Sequence, residues 1–131
     1  SGYLLLGAEL YNRPSKHGEA YNFGPPANQN YPVKDLIDEM SSSWKRVRWQ
    51  DTSSNSKNLH EAGLLKLNCD KALNDLGWLP TLEFGKTVKM TVDWYKTFYE
   101  SKKHNMWEFG SNQIDEYTSI AEKKKRIWAS Y

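Results

Sequence analysis

Hydrophobic positions recur at helical spacing over most of this chain. The segments with that spacing are residues 1–12, 32–44, 68–77, 82–103 and 112–128. The first of them is apolar almost all round and is stopped by Asn12 and Pro14, which predicts the buried end of a helix. In the second, Pro32 suits the first helical position, and this segment shows the clearest amphipathic pattern. We therefore expect helices to dominate the fold.

Three shorter segments alternate between apolar and polar residues instead. They are residues 20–23, 45–50 and 65–67. Alternation with a period of two predicts strands, and a helix or a long loop separates each of these strands from the next. That order favours an α/β lobe over a free-standing sandwich. The predicted fold is one small, helix-rich α/β lobe with short strands, spanning residues 1–131.

Residues 68–80 carry unusually complete helix boundary signals. Asn68 is a plausible N-cap, and Asp70 places a negative charge in the favourable first turn. Gly77 fits the left-handed position after the helix, Trp78 can fold back onto the helix, and Pro80 prevents continuation. The sequence therefore predicts a short helix with a Schellman-type end.

Composition limits the classes of protein that fit. A chain of 131 residues supports one modest core, and 38% hydrophobic with 26% charged residues is ordinary for a globular protein. The longest apolar run, residues 3–8, is far below the roughly 18 residues that span a bilayer, and it lacks the flanks of a signal peptide. The single Cys69 excludes an internal disulfide framework, so we expect a cytoplasmic protein without a membrane partner.

Charge and aromatic content leave a second class open. A net charge of +2 is too mild to require a polyanionic partner, although Lys123 to Arg126 form a basic run. Such a run at a helix C-terminus also complements the helix dipole, which is the ordinary explanation. Six Trp and eight Tyr indicate either a ring-rich core or faces that stack on planar groups. A non-catalytic binding module therefore remains an alternative, but we expect no nucleic acid partner.

Four segments, taken in order, resemble one enzyme family. They are "SGYLLLGAELY", "GEAYNFGP", "HEAGLLKLNCDKALNDLGWLP" and "TVDWYKTF". Together they resemble the carboxyl-terminal part of a nucleotide-sugar dehydratase of the extended short-chain dehydrogenase/reductase family, through about residue 117. The resemblance implies that an amino-terminal Rossmann domain binds NAD and that a smaller lobe closes over the nucleotide-sugar. An epimerase or another dehydratase of the same family is the neighbouring possibility.

The resemblance places this chain in the substrate-binding lobe. Its glycines never form the phosphate-cradling turn between a strand and a helix, so we expect no NAD site in the chain itself. Tyr99 and Lys103 have the YxxxK spacing of the family's catalytic pair, but they lie late in the chain and we interpret the match as chance. We therefore expect no catalytic residue and no metal site, and an isolated chain that is inactive.

Three residues are candidate substrate contacts. Glu61 matches the family's "HEA" motif, and its carboxylate can accept hydrogen bonds from both ribose hydroxyls. His60 beside it can donate to a hydroxyl or a phosphate, and the alternative for both is a solvated loop. Arg48, like Arg46, has the bidentate geometry for a diphosphate, although the solvated side of an edge strand is the interpretation we favour for both.

A third class of function is assembly. A lobe separated from its Rossmann partner exposes the face that it normally buries, and a homo-oligomer is one way to cover that face. Cys69 has no base nearby in the sequence, and it fits a small packing residue better than a nucleophile.

Overall fold

The computed structural model describes residues 1–50, 66–101 and 105–129. Within these ranges the chain is predominantly helical. Its helices are α1 (Gly2–Asn12), α2 (Val33–Ser43), α3 (Asp70–Leu76), α4 (Phe84–Glu100) and α5 (Met106–Lys123). Short 3₁₀ turns at Pro14–Lys16 and Ile127–Ala129 follow α1 and α5. The prediction of a helix-rich chain is confirmed, and no described helix is long and apolar enough to cross a membrane.

The predicted strands are not found among the described residues. Residues 20–23 are irregular, and a turn at residues 45 and 46 interrupts the segment 45–50. The predictions of strands there are therefore wrong; residues 66 and 67 are also irregular, while Leu65 lies outside the described residues. A strand requires a neighbouring backbone that pairs with its N–H and C=O groups, and alternation alone does not provide one.

Helix α5 begins six residues before the predicted start at residue 112. Asn105 caps it, because its side-chain oxygen accepts from the N–H groups of Trp107 at 3.2 Å and Glu108 at 3.4 Å. Asn105 with Glu108 three residues later has the spacing of a capping box. That signal was present in the sequence and could have placed the helix start correctly.

The end of α3 confirms the predicted left-handed turn. Gly77 has φ 62° and ψ 16°, and its N–H donates to the carbonyl of Leu73 at 2.9 Å. The N–H of Trp78 donates to the carbonyl of Ala72 at 3.1 Å, so two nested bonds close the helix. At the other end Asn68 lies one position before the N-cap, yet its side chain still accepts from the N–H of Asp70 at 2.8 Å.

One cluster of buried residues joins α1 and α3: Leu5, Ala72, Leu76 and Trp78, against which Phe23 packs. Val88 and Val92 of α4 and Ala121 of α5 are also buried, and these two helices contact each other. Helix α2 packs on α4.

One face of α1 remains uncovered by the described residues. Tyr3, Leu4 and Tyr11 are 82%, 81% and 89% exposed, and Gly7 and Ala8 lie between them on the same face. We call these five residues the α1 stripe. The prediction of a buried helix end therefore holds for Leu5 but not for the α1 stripe.

We expect Gly77→Val to lower the free energy of unfolding by about 1 kcal/mol or more, because a β-branched residue is strained at positive φ. A Cβ at this position also approaches Ile127 Cδ1 at 3.3 Å. The matched control is Gly7→Ala, since a Cβ there meets nothing within 4 Å and alanine favours the helix by roughly 0.5–1 kcal/mol. Chemical denaturation measures both variants, and an unchanged unfolding midpoint for Gly77→Val contradicts the assignment.

Candidate functional site

The described part of the segment His60–Pro80 forms the wall of a cleft. The cleft has a volume of about 460 Å³. Its lining residues are Gly24, Pro25, Pro26 and Ala27 on one segment, and Lys66, Leu67, Asn68, Cys69, Asp70, Leu73, Trp78, Leu79 and Pro80 on the other. We call it the Lys66 cleft. The proline pair and the capped helix α3 both restrict backbone motion, so the two lining segments are held in fixed positions.

Hydrogen bonds join the two segments that line the Lys66 cleft. The Asn22 side-chain amide donates to the carbonyl of Asn68 at 3.2 Å, and the Tyr21 hydroxyl donates to Asp75 Oδ2 at 3.1 Å. Because the Asn68 side chain also accepts from the N–H of Asp70, one residue connects the start of α3 to the segment before Gly24. The backbone at Asn68 therefore has little freedom to move away from the cleft.

Two lysines near the cleft differ in their partners. Lys71 lies 2.5 Å from Glu19 Oε2 and 4.7 Å from the centre of the Tyr21 ring. The hydrogen bond that Lys71 donates to the Glu19 carboxylate raises the pKa of Lys71 above its usual value. Lys66 is exposed and has no ion-pair partner within the described ranges. Lys66 is also the cation among the residues that line the cleft, so it is available to an anionic ligand.

A second cleft adjoins the first. Its volume is about 650 Å³, and the two clefts share Gly24, Pro25, Trp78 and Pro80. Aromatic rings make up much of its lining: Tyr3, Phe23, Tyr31, Trp78, Phe84 and Tyr117. We call it the aromatic cleft. Ring-lined concave surfaces with a few polar groups are typical of small-molecule sites.

The candidate substrate contacts lie outside these two clefts or outside the described residues. His60 and Glu61 fall in the second group, and their assignment stays a prediction. Arg48 is exposed and lines neither cleft, while Arg46 lines a smaller depression of about 240 Å³ with Trp44 and Tyr99. The family motif in residues 60–80 indicated the segment whose described part lines the Lys66 cleft, but the facing residues 24–27 were missed, although the Gly-Pro-Pro turn was an available signal.

The described residues do not fit an NAD or metal site. Gly2 and Gly7 lie in α1, Gly85 in α4 and Gly110 in α5, and the other described glycines, at positions 18, 24 and 77, do not have the spacing of a dinucleotide-binding turn. No group of three or more His, Cys, Asp or Glu within the described ranges is arranged to hold a metal ion. Cys69 is partly buried in the Lys66 cleft without such a group around it. No step of a reaction is therefore assigned to these groups here.

The Lys66 cleft is lined by the segment whose sequence resembles the dehydratases, and comparison with known proteins finds relatives of that class. The chain is similar to nucleotide-sugar 4,6-dehydratases, and the resemblance to that class is confirmed. No protein-family model matches it.

The relatives themselves are named by their substrates. The chain is 32% identical over 120 residues to CDP-glucose 4,6-dehydratase of Salmonella typhimurium (strain LT2), which covers 91% of this chain and 32% of that protein. It is 31% identical over 85 residues to dTDP-glucose 4,6-dehydratase of Escherichia coli, which covers 61% of this chain and 23% of that protein. The chain therefore spans about a third or less of the length of these relatives.

We expect Asn68→Ala to destabilise the chain by about 1 kcal/mol, because the N–H of Asp70 loses its side-chain acceptor. Asn74→Ala is the matched control, since Asn74 is exposed within α3 and alanine is the better helix former. Chemical denaturation compares the two variants. Equal unfolding midpoints for the two alanine variants would show that Asn68 does not stabilise the start of α3.

Proposed function

We propose that this chain is the nucleotide-sugar-binding part of an NAD-dependent 4,6-dehydratase, and that its ligand is CDP-glucose. The Lys66 cleft carries the proposal, because the segment that resembles these enzymes forms a concave wall with an available cation. The similarity to the Salmonella enzyme over 91% of this chain supports the same ligand class. A deoxysugar pathway in the cytoplasm is the expected setting.

The role of this part is binding and orientation. In the reaction implied by the resemblance, a hydride leaves C4 of the sugar, water is lost across C5 and C6, and the hydride returns to C6. None of these steps is assigned to the described residues. A binding lobe contributes by using contacts to the remote nucleotide to hold the sugar in a reactive position. Lys66 is placed to attract the diphosphate, and its exposure makes that attraction sensitive to salt.

The α1 stripe supports a partner for this lobe. Three large side chains of helix α1 are exposed to solvent. Folded proteins usually cover an exposed apolar face of this kind with a partner. We assign this face to contact with the NAD-binding Rossmann domain of the same enzyme. The small residues Gly7 and Ala8 at its centre permit a close approach of another backbone.

The same stripe favours a second candidate function, which is an assembly module. In an antiparallel pair of α1 helices, the large side chains at the two ends of one stripe would lie beside those of the other stripe. The small residues of both stripes would meet at the centre. Sedimentation equilibrium separates the two functions. A dimer of the chain that Leu4→Glu disrupts favours assembly, and a monomer at all concentrations favours the Rossmann contact.

We expect the isolated chain to show no dehydratase turnover and no NAD binding, since the described glycines form no dinucleotide turn. Formation of the 4-keto-6-deoxy sugar from CDP-glucose is followed by the absorbance of the product, and NAD binding by calorimetry. Turnover by the 131-residue chain would contradict the assignment of this chain to binding alone.

We expect Glu61→Ala to weaken CDP-glucose binding by roughly 1–3 kcal/mol, the range for hydrogen bonds that involve a charged group. The physical reason is the loss of the acceptor for the ribose hydroxyls. Glu108→Ala is the matched control, because Glu108 is exposed in the first turn of α5 and lines neither cleft. Calorimetric titration of wild type and both variants measures the effect, and equal affinities would remove Glu61 from the site.

A further inference from the structure

We propose that the aromatic cleft holds the nucleobase of the bound ligand, with Tyr31 as the stacking surface and Asn30 as the group that contacts the edge of the base. The diphosphate then lies in the Lys66 cleft. This inference rests on the proposed function and assigns separate parts of the ligand to separate clefts.

The continuity of the clefts is the first argument. They share four lining residues, so one ligand can extend from the first cleft into the second. Their volumes of about 460 and 650 Å³ each lie in the range of ligand sites. The cation is in one cleft and most of the rings are in the other, which matches a molecule that is anionic at its centre and planar at one end.

The placement of Tyr31 is the second argument. Its ring stacks on Phe84 with the centroids 3.9 Å apart and an angle of 19° between the planes. The Tyr31 residue is nevertheless 46% exposed, so stacking on Phe84 leaves ring surface free. The Phe84 N–H donates to Gln29 Oε1 at 3.2 Å, which ties the segment before Tyr31 to the start of α4. The ring is thus fixed before a ligand arrives, and less conformational entropy is lost on binding.

Unused polar groups at the same cleft are the third argument. The Asn30 carboxamide is half-buried and makes no hydrogen bond to another described residue. A carboxamide presents a donor and an acceptor side by side, which complements the edge of a base. Thr81 is also among the residues that line this cleft; it is 2% exposed, and its hydroxyl is buried without a hydrogen-bond partner among the described residues. Because buried polar groups are normally paired, the Thr81 hydroxyl indicates an incomplete hydrogen-bond arrangement at this cleft. The half-buried Asn30 carboxamide adds a donor and an acceptor that a ligand can use.

The Gly24–Pro25 turn contributes to the shape of this site. A Cβ on Gly24 meets Leu67 Cδ1 at 3.3 Å and Cys69 Sγ at 3.5 Å. A side chain at position 24 would therefore push against the wall of the Lys66 cleft at the point where the two clefts join. Glycine at position 24 avoids this contact.

The experiment titrates the 15N-labelled 131-residue chain with CDP, ribose 5-phosphate and pyrophosphate, and follows amide shifts by NMR. This method measures dissociation constants into the millimolar range and locates the affected residues. We expect CDP to bind at least tenfold more tightly than pyrophosphate, with shifts at Tyr31 and Phe84 that pyrophosphate does not produce. Equal affinities for CDP and pyrophosphate would overturn the assignment of a base site.

Tyr31→Leu tests the stacking surface directly. We expect it to weaken CDP binding roughly tenfold to a hundredfold, the range for loss of one base–aromatic stack, and to leave pyrophosphate binding unchanged. Tyr95→Leu is the matched control, since Tyr95 is likewise 46% exposed, stacks on a neighbouring ring and lies outside both clefts. Asn30→Leu is expected to alter the ratio of CDP to UDP affinity, which a purely structural role would not change.

Three outcomes separate this inference from the proposed function. Loss of CDP affinity in Tyr31→Leu, with pyrophosphate unaffected, supports it. Unchanged CDP affinity in Tyr31→Leu, together with a loss in Lys66→Ala, overturns the base site but retains the nucleotide-binding function. Absence of binding to CDP and CDP-glucose by the wild-type chain overturns the proposed function, and with it the assignment of the base.

Discussion

The burial of Trp78 is the constraint on which the rest of this structure depends. Its ring packs among residues of α1 and α3 and meets the edge of Phe23, with centroids 5.0 Å apart. Its indole N–H donates to Ser1 Oγ at 3.3 Å, and that oxygen lies 2.7 Å from the Tyr117 hydroxyl. One side chain therefore connects α1, α3 and α5. Only a left-handed residue before it, here Gly77, turns the chain back far enough for this burial.

The two clefts follow from the same side chain. Trp78 lines both of them, and the chain on either side of it supplies α3 to one cleft and Pro80 with Thr81 to the other. A rigid, fully packed ring between two concave surfaces keeps their relative position constant. Such preorganisation favours a ligand with two chemically different parts, because neither part has to order the protein on binding.

The sequence predicted the features whose causes are local. The positive φ of Gly77 depends on a few neighbouring residues and was found, and Asn68, although it lies one position before the N-cap, still accepts from the N–H of Asp70. The strands at residues 20–23 and 45–50 were wrong because strand formation depends on a pairing partner elsewhere, which an alternating pattern does not specify.

The clefts were not predicted, for the same reason. Their walls come from segments about 40 residues apart in the chain, and the family motif indicated the segment near Pro80 but not its counterpart at Gly24. Tyr31 and Phe84 gave no sign that they stack, because more than 50 residues separate them. A motif in the sequence was therefore enough to propose a nucleotide ligand. The shape of the two clefts could be seen only in the folded structure.

The basic run at residues 123–126, at the end of α5, shows that basic side chains can be engaged in contacts within the folded chain. Lys124 Nζ lies 3.2 Å from Glu83 Oε1, and Arg126 Nη2 donates to the carbonyl of Pro80 at 2.7 Å. Two of the four consecutive cations thus fasten the loop that follows Trp78. A polyanion would have to compete with these internal contacts, so the run has less capacity for external partners than its count suggests. Added salt would weaken the ion pair between Lys124 and Glu83 within the chain. The basic residues that resemble a nucleic-acid-binding tail therefore hold the C-terminal end of the fold in place.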